Sequence, residues 1–220
     1  LLFRGYKEHR LSDVLLGWIM FLLAIEMQDY TFGFAGINVL WNELNGFPRS
    51  VSLLFGPVVY FYFKAQTNRS FTLKAREFLH FSPYLVAFLY QFVFFVQGAQ
   101  AVEKLQDSDI DLVMGYVNKS AILISYTYYF YQCLKIYKDY RDWSQNQFSD
   151  TDVIAFSWFR NFVYAMISWI LFREVMNIID VIYDLDFYND WWWHLALVAV
   201  SVYIGLKGLS QKQPSIIGYS

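Results

Sequence analysis

Apolar residues gather into six stretches along this chain, and charged or turn-forming residues separate them. The stretches are Leu11 to Phe32, Ser50 to Gln66, Glu77 to Gln97, Asp111 to Leu134, Val153 to Tyr183 and Trp191 to Leu206. A helix rises about 1.5 Å per residue, so about 20 apolar residues cross a hydrocarbon core of about 30 Å. The pattern therefore predicts an all-α fold, a polytopic transmembrane bundle with six spans.

The basic residues test that reading, because cytoplasmic flanks retain Lys and Arg while the opposite flanks lack them. One alternating set of flanks holds Arg4, Lys7 and Arg10, then Lys64, Arg69, Lys74 and Arg76, then Lys135, Lys138 and Arg141, then Lys207 and Lys212. The other set holds only Arg49 and Lys104. Both ends of the chain are thus expected on the cytoplasmic side of the membrane. The loops on the far side are correspondingly acidic, with Glu43, then Glu103, Asp107, Asp109 and Asp111, then Asp184, Asp186 and Asp190.

Composition fits a membrane bundle of moderate greasiness: 57% hydrophobic, 22% aromatic and 16% charged residues, with a net charge of -2. A water-soluble helical domain with an aromatic core would share that composition but not the alternation of charge. The near-neutral balance gives no general attraction for nucleic acid. The single cysteine, Cys133, excludes an internal disulfide framework and is expected to pack in the inner half of the fourth span. Leu1-Leu2-Phe3-Arg4 reads as the tail of an apolar segment reaching a basic loop, so a further helix upstream is expected. Residues 1–211 read as the bundle, and 212–220, polar with Pro214 and Gly218, as the start of a cytoplasmic linker.

Gly56-Pro57 interrupts the second span and Pro83 lies near the start of the third. A proline removes one backbone donor and crowds the preceding turn, so a kink is expected at each, a candidate for conformational change. Trp191, Trp192 and Trp193 open the last span, and indole rings favour the headgroup zone, so this cluster should mark the outer interface.

Ionisable residues inside the spans carry the most functional information. The apolar run from Val14 ends at Ile25, about 18 Å of helix, which leaves Glu26 and Asp29 within the outer leaflet. Asn118 and Lys119 fall inside the fourth span. Arg173, Asn177, Asp180 and Asp184 follow the spacing that stacks side chains on one helical stripe, with Glu174 beside them. An unpaired charge at that depth costs several kcal/mol, so such groups face the bundle interior or a wet vestibule and pair with one another. The expectation is an outward-opening polar pocket formed by Glu26, Asp29, Asn118, Lys119, Arg173, Glu174, Asn177 and Asp180. Its expected ion pairs are Lys119 with Glu26 or Glu174, and Arg173 with Asp29 or Asp180. The competing reading is an ion-pair network that only glues helices. Arg160 and Asn161, near the inner surface, are expected to snorkel or to bind a lipid phosphate or carbonyl.

Catalytic signatures are missing from the sequence. His9, His80 and His194 lie on different segments without metal-ligand spacing, so no metal site is expected. His80 reads as a hydrogen-bonded interface histidine more than as a proton switch. There is no glycine-rich phosphate loop, G-x-S-x-G elbow or H-E-x-x-H motif, and neither catalysis nor a cofactor is expected.

Four local phrases resemble one family. Leu54-Phe55-Gly56-Pro57-Val58-Val59-Tyr60-Phe61-Tyr62-Phe63-Lys64, Leu79-His80-Phe81-Ser82-Pro83, Trp158-Phe159-Arg160-Asn161-Phe162 and Tyr203-Ile204-Gly205-Leu206-Lys207-Gly208-Leu209-Ser210-Gln211 look like the membrane region of AraC-type transcriptional regulators of Bacteroidetes. The resemblance implies an inner-membrane sensor whose cytoplasmic linker leads to a helix-turn-helix DNA-binding module that is not in these residues. Expected partners are then the lipid bilayer, an envelope ligand or protein, DNA through that separate module, and a second copy of the chain. Two other readings stay open: a non-catalytic membrane subunit that scaffolds an envelope complex, and a transporter using the charged residues as a relay. Inverted repeats and paired half-helices would mark the transporter, and neither is evident.

Overall fold

The structure is a computed structural model that describes residues 2–7, 10–36, 44, 46–147, 156–183 and 191–210. Among these the chain is all-helical: α1 (Leu2–Lys7), α2 (Leu11–Phe34), α3 (Ser52–Thr67), a 3-10 helix (Ala75–Phe81), α4 (Ser82–Val96), α5 (Ala99–Gln106), α6 (Asp109–Gln147), α7 (Phe156–Tyr183) and α8 (Trp191–Ser210). The tail from Gln211 onward, expected to be a linker, lies outside the described residues.

The bundle is organised around α3. All of its residues except Leu54, Tyr60 and Lys64 are buried, and α2 and α6 pack along it. Phe55 meets Tyr126 of α6, while Tyr62 and Phe63 meet Phe162 of α7. The Trp158 indole N–H donates to the Tyr62 hydroxyl at 3.0 Å, which satisfies two polar groups in a buried, aromatic interior. Gly56 marks a close approach to α6: a Cβ built there would lie 2.8 Å from Tyr129 Cδ2 and 3.0 Å from Ser125 Oγ. At the other side of α2, Gly205 and Gly208 of α8 face Met20 and Leu16, a stripe of small residues that lets two backbones approach.

Contacts sort the helix ends into two sets. At one end Glu26 of α2 meets the start of α3, Tyr30 of α2 stacks on His194 of α8 at 3.6 Å, and Gly46 lies against Val102 of α5. Toward the other, the His80 ring nitrogen Nδ1 sits 2.7 Å from the Tyr129 hydroxyl, Trp158 meets Tyr203, and Leu16 meets Gly208. These two sets mark the two ends of the bundle. His80 is, as expected, a hydrogen-bonded residue between helices.

Helices occupy all six of the expected places, but three segments, not six, are long and apolar enough to cross a membrane. They are Leu11–Gly33, Ala75–Val96 and Trp158–Asp180. The remaining places fall short for separate reasons. Helix α3 has 16 residues, about 24 Å, less than a full hydrocarbon core. The apolar run of α8, His194–Leu209, is similarly short. Helix α6 has 39 residues and ample length, but Lys119, Asn118 and the tyrosines at 116, 126, 128, 129 and 131 dilute its hydropathy.

The surface is as informative as the core. Helix α4 has no buried residue at all, and it presents Leu85, Val86, Leu89, Val93 and Val96 outward. Further apolar side chains are exposed on α6, α7 and α8, among them Leu123, Ile124, Leu171, Val175, Leu195 and Val202. Exposed apolar side chains in this number are costly in water and at home in lipid.

Pro83 sits where the third span changes helix type. The third span is divided, with the 3-10 helix ending at Phe81 and Pro83 entering the first turn of α4. There the missing N–H removes no bond within α4, so the proline suits the start of that helix. Pro57 lies within the continuous helix α3, enclosed on all sides.

Candidate ligand-binding site

A cavity of about 530 Å³ opens between α6 and α7. Five of the eight residues expected from the sequence line it: Asn118 and Lys119 from α6, and Arg173, Glu174 and Asn177 from α7. Helical geometry explains the grouping, because residues three and four apart share a face, and α7 runs back along α6 with its polar stripe at the same height. Asn118 also borders a small cavity with Pro48 and Ser50, which fixes the polar part of the site at the end of the bundle where Glu26 meets the start of α3.

The charges are wired differently from the expected cross-helix pairs. Arg173 donates through Nε and Nη2 to the Glu174 carboxylate, at 3.1 and 2.6 Å, and Asn177 Nδ2 reaches the other carboxylate oxygen at 3.4 Å. The guanidinium also lies 5.4 Å from the centre of the Trp169 ring. A long side chain folded back over the preceding turn therefore replaces the pairing of Arg173 with Asp29 or Asp180. Lys119 contributes its charge to the field at Glu174, but no ion pair within 4 Å or hydrogen bond joins it to another described residue.

The remaining three candidates fall elsewhere. Glu26 leaves the pocket to cap α3: its Oε1 accepts from the Val51 backbone N–H at 3.1 Å and from Ser52 Oγ at 2.8 Å. That satisfies orphan donors at a helix N-terminus and sets a carboxylate at the positive end of the helix dipole. Asp180 is half-buried on α7, beyond the lining of the cavity. The side chain of Asp29 lies outside the described residues. Asp184, which continued the stripe, is also outside them. Arg160 and Asn161 are both exposed on α7, as snorkelling requires.

The sequence reading missed Tyr126, Ile122, Leu123 and Ile170, which form the apolar part of the cavity wall. The signal was present, since Tyr126 follows Lys119 by two turns and Ile170 precedes Arg173 by one. Tyr126 has a second role. Its ring packs edge-on against Phe55 of α3, with ring centroids 6.0 Å apart, so it connects the cavity to the helix whose start Glu26 caps. No protein-family profile, characterised protein or solved structure matches the chain.

Proposed function

We propose that the chain is the membrane-embedded sensory domain of a transcriptional regulator, taking up a signal from the envelope and passing it to a helix-turn-helix module on the cytoplasmic side. The observation that carries this reading is the cavity itself. Five intramembrane polar residues, chosen from the sequence for their depth, converge on one outward-lying space large enough for a small ligand. The resemblance to AraC-type regulators supplies the output, and the topology it needs is six crossings of the inner membrane with the tail after α8 in the cytoplasm. The sorting of helix ends into two sets, and the basic residues clustered at one of them, support that topology.

Transmission follows from the connections of Tyr126. A ligand that packs on this ring shifts the bundle only by binding one arrangement better than another. The Tyr126–Phe55 ring contact offers a discrete element for such a choice, because α3 is held at its N-terminus by Glu26 and is packed along nearly its whole length. A small change of α6 against α7 then reaches the central helix without crossing any loop.

The test is made in the full-length protein in its native host. Lys119→Met and Arg173→Met are introduced singly, and membrane abundance and the transcripts controlled by the protein are measured together. Normal insertion with loss of the transcriptional response is the expected outcome. Loss of insertion would reduce these residues to helix glue, and an unchanged response would remove the cavity from signalling. Downstream coding sequence provides a second check: a helix-turn-helix module after Ser220 is expected, whereas its absence favours the scaffold.

A further inference from the structure

We infer that the α6–α7 cavity binds an anionic amphiphile, an acyl chain carrying a phosphate or carboxylate head. The inference rests on the proposed ligand role of this cavity and names the chemistry it selects. Polarity is graded along the cavity in the same direction on both walls. On α6 the order from the outer end is Asn118 and Lys119, then Ile122 and Tyr126; on α7 it is Asn177 and Arg173, then Ile170. A head therefore finds hydrogen-bond donors near the outer surface, and a tail finds an apolar channel running toward the bilayer centre. A rigid polar solute would fill only the first half of this space.

Charge sets the sign of the head. Arg173 is already engaged by Glu174 through two nitrogens, and that pair cancels its own charge. The Lys119 ammonium is left without an ion-pair or hydrogen-bond partner among the described residues, on a helix that lies in lipid-like surroundings. Leaving it uncompensated at that depth costs several kcal/mol, which an anion in the cavity would recover. Arg173, held in orientation by Glu174 and by the Trp169 ring, supplies a further fixed donor face, and the amides of Asn118 and Asn177 complete the polar end.

Access is lateral. Lys119, Ser120 and Leu123 are all exposed on the outside of the bundle, so the mouth opens toward the surrounding lipid. The volume of about 530 Å³ accommodates a head and a single chain in a site of ordinary ligand size, for which about 300–1,000 Å³ is typical. Two sources share this chemistry, an anionic phospholipid of the bilayer and a free fatty acid, and the experiment separates them.

Native mass spectrometry of the purified full-length protein in detergent is run with four probes: phosphatidylglycerol, palmitate, diacylglycerol and inorganic phosphate. One or both anionic amphiphiles should bind at a single site, with affinity about tenfold or more above diacylglycerol and phosphate. Whichever binds identifies the source. Lys119→Gln should lower that affinity about tenfold, while Lys119→Arg should keep it within about threefold. Leu123→Trp, at an exposed position tolerant of size, should obstruct the tail and weaken binding even if the lysine variants fail to fold. Equal binding of diacylglycerol, full binding by folded Lys119→Gln, or an unaffected Leu123→Trp would overturn the inference. Because binding is read without transcription, failure here leaves the sensory role standing, and bound amphiphile with a silent reporter would condemn that role alone.

Discussion

Gly56→Ala probes the packing of the central helix with one added methyl group. Its Cβ would arrive 2.8 Å from Tyr129 Cδ2 and 3.0 Å from Ser125 Oγ, against the roughly 3.5–4.0 Å at which carbon atoms sit comfortably. The ring has little freedom to retreat. Tyr129 is buried, its hydroxyl is held 2.7 Å from His80, and the Tyr60 and Tyr128 rings flank it. Either α3 and α6 separate by the better part of an ångström or the His80 contact breaks, and overpacking of this kind costs about 1–3 kcal/mol. For a chain of this size that corresponds to a fall in melting temperature of about 2–12 °C. Cys133 supplies the assay, being the single cysteine and fully buried on α6, so a thiol-reactive fluorophore lights up only as the bundle opens. In a Tyr129→Ala background the same Gly56→Ala change should cost less than about 0.5 kcal/mol, because the obstructing ring is gone. Equal losses in both backgrounds would refute the idea that α3 and α6 touch through this glycine.

Trp158→Phe should lower stability by about 1 kcal/mol by stranding the Tyr62 hydroxyl, and adding Tyr62→Phe should recover much of that loss in the same thiol-reactivity melt. Glu26→Ala should cost about 2 kcal/mol, since it removes a charged acceptor from the N-terminus of α3, with Glu26→Gln intermediate; equal melting of the two variants would remove the carboxylate from the cap. Gly208→Leu should separate α8 from α2 against the buried Leu16, and Leu16→Ala should partly rescue it, as read by detergent-resistant melting.

The sequence made the helices legible because length and hydropathy are local properties, and the polar residues at 118, 119, 173, 174 and 177 were legible because depth in a span follows from counting. Neighbour relations were not. In a bundle surrounded by lipid, both faces of a helix are apolar, so nothing in α3 and α4 announces that one is enclosed and the other peripheral, with no fully buried residue. Glu26 shows the same limit: its place at the end of the apolar run of α2 was readable, but its partners, Val51 and Ser52, come from the start of another helix and required the tertiary fold. The change of helix type at Pro83 was not readable either, because a proline near a helix start and a proline within a helix look alike until the first turn is located. Helix α6, read from the sequence as the fourth span, is not among the segments apolar enough to cross a membrane, because its tyrosines lower hydropathy while their rings still pack, as Tyr126 and Tyr129 do against α3.

The enclosure of α3 bears on how the protein is made. At 16 residues, with Pro57 in its middle, this segment has the weakest claim to partition alone from an insertion channel into lipid. It should therefore linger beside the channel, held with α2 by the Glu26 cap, until α6 has been synthesised and can shield its other side. The order of manufacture would then be opposite to the architecture, with the periphery established first and the axis of the bundle accepted last.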